Sequence, residues 1–168
     1  MLFQMKDICI IILYMILLST SVVCFTVNNG MADFSDESNT KTTVAAYNSN
    51  IKTVNTSSFE HLTQLTVLSF WINDLVEIPD LSPIGDTLQK LHFDDNPALS
   101  STGNINLAVL YQLLFLNIRN TNLSVVTTTC PRNRIQKYTV RAANSPLNIC
   151  HCHMTWLKVS NNDKLLRT

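Results

Sequence analysis

The sequence predicts an elongated repeat solenoid of about five units built on a parallel β-sheet. Three observations carry that prediction. Apolar residues recur at relative positions 1, 4 and 6, the units start every 22 to 25 residues, and in four of the five units a polar residue stands at position 9. One short unit cannot bury its apolar face alone, so units of this kind stack and merge their apolar residues into one core.

The first unit starts at Lys41 and carries Val44, Ala46, Ser49, Ile51 and Val54, with Phe59 and Leu62 on its return. The second, from Leu65, is the clearest: Leu68, Phe70, Asn73, Leu75 and Ile78 fall at positions 4, 6, 9, 11 and 14. The third starts at Leu88 with Leu91, Phe93 and Asn96, and the fourth at Leu113 with Leu116, Ile118, Thr121, Leu123 and Val126. A weaker fifth unit starts at Ile135 with Tyr138 and Val140. The alternation places positions 4 and 6 on one face of a short strand and positions 3, 5 and 7 on the other. Asn73 and Asn96 are predicted to turn inward, where an amide bonds backbone groups that the bend leaves unpaired.

Charge and apolar content fit a folded domain without a bulk preference for nucleic acid. The 168 residues are 46% hydrophobic and 14% charged, with a formal net charge of zero. The charges are unevenly spread. Residues 25–95 hold ten acidic and three basic residues, whereas residues 130–168 hold seven basic residues and one acidic residue, Asp163. Residues 25–40, polar and acidic, are expected to be a flexible segment ahead of the repeats.

Lys6, the apolar run from Ile8 to Leu18, and Ser19-Thr20-Ser21 have the anatomy of a secretory signal peptide, assigned to residues 1–24. The alternative is an uncleaved anchor over residues 8–25, the one way in which a membrane enters this reading. Export places Cys130, Cys150 and Cys152 in an oxidising compartment and makes them disulfide candidates. It also makes Asn55 and Asn122, each followed by X-Ser, candidate N-glycosylation sites.

On these residues the sequence resembles the leucine-rich repeat family, whose units read LxxLxLxxNxLxxL. The resemblance runs from Lys41 to Leu157. It implies an α/β repeat solenoid shaped as a horseshoe segment, with the parallel sheet on its concave side and loops, short helices or turns on the convex side. The repeats occupy residues 41–143. Residues 144–168 resemble the cysteine-containing cap of extracellular family members, with Cys150, Cys152, Trp156 and Leu157 matching its pattern. Two further cysteines usual in such caps are absent, and Cys130 stands as a substitute partner. Three cysteines also leave open a free thiol, a link between two molecules, or a pair with Cys24.

Outward positions of the strands nominate a binding strip: Trp71, His92, Asp94, Phe115, Arg119 and Arg141. Aromatic residues beside arginines are common anchors of protein interfaces. The expected activity is therefore non-catalytic recognition of a protein ligand on the concave face by a secreted protein. The alternative is a receptor ectodomain anchored in the membrane by residues 8–25, or a fragment cut from a larger leucine-rich repeat receptor. Arg132, Arg134, Lys137 and Arg141 form a basic end suited to an anionic polysaccharide. No cofactor is expected. Cys150-His151-Cys152-His153 lacks the spacing at which four ligands converge on zinc. His92 and Asp94 read as a surface pair rather than a catalytic one, since no nucleophile motif accompanies them.

Overall fold

The computed structural model describes residues 25–55, 57–100, 109–126 and 139–146, with the main chain also placed at 148–149 and 158–159. Eleven short strands run through them. They are β1 (Thr26–Asn28), β2 (Met31–Asp33), β3 (Thr43–Ala45), β4 (Thr53–Val54), β5 (Val67–Ser69), β6 (Lys90–His92), β7 (Phe115–Asn117), β8 (Val125–Val126), β9 (Thr139–Arg141), β10 (Asn148–Ile149) and β11 (Lys158–Val159). Six of them form one parallel sheet in the order β11-β9-β7-β6-β5-β3. Each neighbour in that sheet is the next unit of the repeat, so the chain advances as a parallel-strand β-solenoid. On the return side β8 and β10 pair in parallel, as do β2 and β4.

The register ties the strands together position by position. Thr43, Val67, Lys90, Phe115 and Thr139 are lateral partners, as are Val44, Leu68, Leu91, Leu116 and Val140. The second row is buried throughout, and so is the row Ala46, Phe70, Phe93, Ile118 and Ala142 at position 6. Thr139 therefore occupies position 3, and the fifth unit starts at residue 137. The sequence reading placed that start at 135. A slip of two residues preserves which side chains face the core, so the alternation alone does not distinguish the two registers.

A column of left-handed residues marks the corner after each strand. Asn48, Ile72, Asp95, Asn120 and Asn144, all at position 8, have φ between 50° and 58°. Their backbone N–H groups reach across to the next unit: Asn48 to Ile72 O, Ile72 to Asp94 O, Asp95 to Arg119 O and Asn120 to Ala143 O, at 2.7 to 3.1 Å. Asn and Asp tolerate this conformation, whereas a β-branched residue such as Ile72 is strained in it.

Position 9 then turns inward, as the spacing predicts. Asn73 Oδ1 accepts from the backbone N–H of Ser49 at 3.0 Å and of Ile51 at 3.2 Å. Its Nδ2 donates to Ala46 O at 2.8 Å and Phe70 O at 3.1 Å. Asn96 repeats the arrangement, accepting from Leu75 N at 3.1 Å and donating to Phe70 O and Phe93 O at 2.8 and 2.9 Å. Thr121 and Ser145 fill the place in the last two units, both donating to Ile118 O.

Residues 25–40 are not the flexible segment that their composition suggested. β1 and β2 form a hairpin whose two loop residues, Asn29 and Gly30, have φ of 51° and 82°. Asn-Gly suits a two-residue turn with positive φ at both positions, so the turn fixes the pairing. Behind it Ala32 and Phe34 are completely buried. The Phe34 ring lies 5.7 Å from Phe70 and 6.1 Å from Phe59, and Phe25 lies 5.2 Å from Phe34. Phe34 thus extends the aromatic row past the small Ala46 and closes the first end of the core.

Among the described residues the returns are, beyond their short strands, loops and turns. The described residues hold no α-helix, and Ser82–Ile84 forms a single 3-10 turn. With Pro79, Pro83, Gly85 and two aspartates between Ile78 and Thr87, the segment lacks the uninterrupted length that an α-helix needs. Gly85 closes this turn against the backbone of Val109: a Cβ at Gly85 meets Val109 O at 2.0 Å.

Candidate functional site

The outer face of the six-stranded sheet carries the side chains at positions 3, 5 and 7. The strands β3, β5, β6, β7 and β9 each span three residues, so positions 3 and 5 flank a buried position 4, and position 7 lies just beyond, where the chain turns into the corner. Five of the six residues nominated by the spacing remain open to this face. Trp71 is 42% exposed, and Arg119 and Arg141 are exposed. His92 and Phe115 are half-buried. Asp94 differs. It is only 7% exposed, its Oδ1 has no hydrogen-bond partner, and His92 Nδ1 lies 3.7 Å away. At position 7 it stands between the larger Trp71 and Arg119, and the short side chain is largely covered.

Two aromatic clusters form on the face. In the first two units Tyr47 and Trp71 stack with ring centroids 5.9 Å apart and planes 29° from parallel. Both are exposed, Tyr47 by 38%. In the later units Phe115 lies between His92, at 5.1 Å, and Arg141, whose guanidinium carbon is 5.4 Å from the ring centre. Cations over an aromatic face are attracted to its quadrupole. Arg141 reaches Phe115 because it sits at position 5 of the correctly registered fifth unit, beside Asn117 in the neighbouring strand.

The sequence reading missed what holds Trp71. Its Nε1 donates to Asp95 Oδ2 at 2.9 Å. Asn120 Nδ2 donates to the other Asp95 oxygen, and Asn144 Nδ2 donates to Asn120 Oδ1 at 2.8 Å. Arg119 approaches Asp95 Oδ2 at 3.9 Å. Asp95, Asn120 and Asn144 are successive position 8 residues, joined from position 7 by Trp71, so a side-chain ladder runs along one rim of the sheet. The signal was present in the sequence: an Asp or Asn recurs beside position 9 in four of five corners.

The two glycosylation candidates lie outside the sheet strands. Asn122 is exposed after the fourth corner, its N–H bonded to Leu99 O at 2.9 Å. Asn55 is half-buried and tied to the N-terminal hairpin, its Nδ2 donating to Asp33 Oδ2 at 3.0 Å. Ser58 Oγ donates to Asp33 Oδ1 at 3.2 Å and accepts from Phe34 N at 3.1 Å. The Asn55 amide, then the Ser35 backbone N–H, hold the Asp33 carboxyl below its ordinary value of 3.8.

Cys130, Cys150 and Cys152 lie outside the described residues, as do the leader, Arg132, Arg134 and Lys137. Among the described residues no group of histidine, cysteine or carboxylate side chains is placed to hold a metal ion, and no helix is long and apolar enough to cross a membrane. No protein-family model matches the sequence, and no curated protein and no solved structure is significantly similar to it.

Proposed function

We propose that the chain is an extracellular protein of the leucine-rich repeat type that binds another protein through the outer face of its six-stranded sheet. The observation that carries the reading is the exposed stacked pair Tyr47–Trp71 on the same face as the Phe115–Arg141 pair. Rigid aromatic side chains bury much area at little entropic cost, and with arginine they dominate the energetics of interfaces. The family assignment is supported by the inward asparagines at position 9 and by the repeat length of 23 to 25 residues between starts 41, 65, 88, 113 and 137. Extracellular placement is supported by the charged-apolar-small order of residues 1–24 and by the cysteines near the far end.

The experiment is a screen of the protein, purified from the medium of secretory cells, against a panel of purified extracellular domains. Intact mass of the same material reports whether the leader is lost. Binding of at least one domain, abolished by Trp71→Ala with Phe115→Ala, is the expected result. Retention of the full chain at the cell membrane overturns the secreted placement. Binding that survives the double substitution overturns the assignment of the face.

A further inference from the structure

We infer that the outer face is divided along the stack, its first two units taking the apolar part of a polypeptide ligand and its last three taking carboxylates of the same segment. The inference rests on the protein-binding reading of this face and specifies the ligand's composition and order.

The division is written in the outward residues. In the first two units positions 3, 5 and 7 hold Thr43, Ala45 and Tyr47, then Val67, Ser69 and Trp71, without one charged side chain. The Trp71 indole N–H is already committed to Asp95, so this half presents ring surface rather than a free donor.

The later units reverse the character. Lys90, Arg119 and Arg141 bring three cations to the same face, with His92 between them. Two nearby carboxylates offset part of this charge, but neither pairs with Lys90 or Arg141. Asp94 is covered beside His92, and Asp95 has its oxygens engaged by Trp71 and Asn120 before Arg119 reaches it at 3.9 Å. Among the described residues no carboxylate lies within ion-pair distance of Lys90 or Arg141. Phe115, set beside the Arg141 guanidinium, gives the cationic half one apolar contact of its own.

Adjacent strands lie about 4.8 Å apart, so four steps from the first unit to the fifth cover roughly 19 Å. An extended segment rising about 3.3 Å per residue crosses that distance with about six residues. A segment whose one end is apolar or aromatic and whose other end carries Asp or Glu matches both halves at once. A uniformly basic segment is rejected by like charge across the last three units.

The test is selection of a phage-displayed library of random short peptides on the immobilised full chain. Three variant panels accompany it: Tyr47→Ala with Trp71→Ala, Lys90→Gln with Arg141→Gln, and Val76→Ser off the face, each first checked for an unchanged melting midpoint. The expected peptides join apolar residues to carboxylates. A resynthesised one should lose about tenfold affinity in each of the first two variants and none in the third. Raising salt from about 0.05 M to about 0.5 M should weaken wild-type binding more than it weakens the Lys90/Arg141 variant, which keeps Arg119. Enriched peptides that need Tyr47 and Trp71 but carry no carboxylate overturn the division and leave the protein-binding face standing. Peptides insensitive to both face variants, or no enrichment at all, overturn both.

Discussion

Trp71 and Asp95 stand one repeat apart, and the indole N–H of the first is pinned to the carboxylate of the second at 2.9 Å. Asp95 in turn takes a hydrogen bond from Asn120, so it accepts from both sides. Asp95→Asn keeps a residue that tolerates the left-handed corner but turns one acceptor into a donor facing another donor. The expected cost is about 1 kcal/mol, read as a shift in the urea midpoint. In a Trp156→Phe background the Trp71 emission should also become less anisotropic. Unchanged emission would mean that the indole is held by packing alone.

Asn73 satisfies two backbone N–H groups and two carbonyls that its corner leaves inside the fold. Asn73→Ala strands those groups, at a cost of roughly 1–3 kcal/mol for a buried unsatisfied partner. Asn96→Ala should cost a similar amount. Thr121→Ala should cost less, because Ser145 also donates to Ile118 O. Equilibrium unfolding of the three variants gives the order directly.

Ile72 is the one corner residue of five that is neither Asn nor Asp, and it holds φ at 53°. Its side chain is exposed, so little packing is lost on replacement. Ile72→Asn is expected to raise stability by about 1 kcal/mol, through relief of left-handed strain. A thermal melt that falls instead would show that the Ile72 side chain contributes more to packing than its exposure suggests.

Asp33 couples the N-terminal cap to pH. Its carboxyl is held below 3.8 in the fold by Asn55 and Ser35, so the charged form is favoured there. For a depressed pKa the stabilisation is complete above the unfolded value and is lost as pH falls through the folded one. Hydrogen exchange at residues 26–34 should therefore quicken as pH drops below about 4, relative to the intrinsic rate. Asp33→Asn should flatten that dependence. The cap itself depends on Phe34, and Phe34→Ala should cost about 3–5 kcal/mol.

Gly85 is required by closeness rather than by its dihedral angles, since its φ is −61° and any residue adopts that value. A methyl group there drives into the Val109 carbonyl. Gly85→Ala is expected to destabilise by about 1–3 kcal/mol by the strain of overpacking. A measured change below half of that range would place the flexibility in residues next to Val109.

Much of this fold was legible in the sequence because the repeat encodes each core position several times. The starts at 41, 65, 88 and 113 and the inward asparagines all follow from Leu, Phe and Asn spacing. The fifth start was misplaced because Tyr138 and Val140 satisfy the alternation as well as Val140 and Ala142 do. Only the corner, Asn144 followed by Ser145, distinguishes the two. The hairpin was hidden by acidic composition, although Asn29-Gly30 between two short β-prone runs is its signal. Asp94 was misjudged because strict alternation ends with the strand at His92, and a short side chain at position 7 between Trp71 and Arg119 is covered.

The central claim is that the sheet's outer face binds a protein through Trp71. It is tested most directly by the dissociation constants of wild type, Trp71→Ala and Val76→Ser for an extracellular domain captured in the panel. Trp71→Ala should weaken binding by about thirtyfold, corresponding to an anchor worth about 2 kcal/mol, with Val76→Ser unchanged. Equal affinities for wild type and Trp71→Ala, or a loss confined to Val76→Ser, would contradict the account and move the interface off this face.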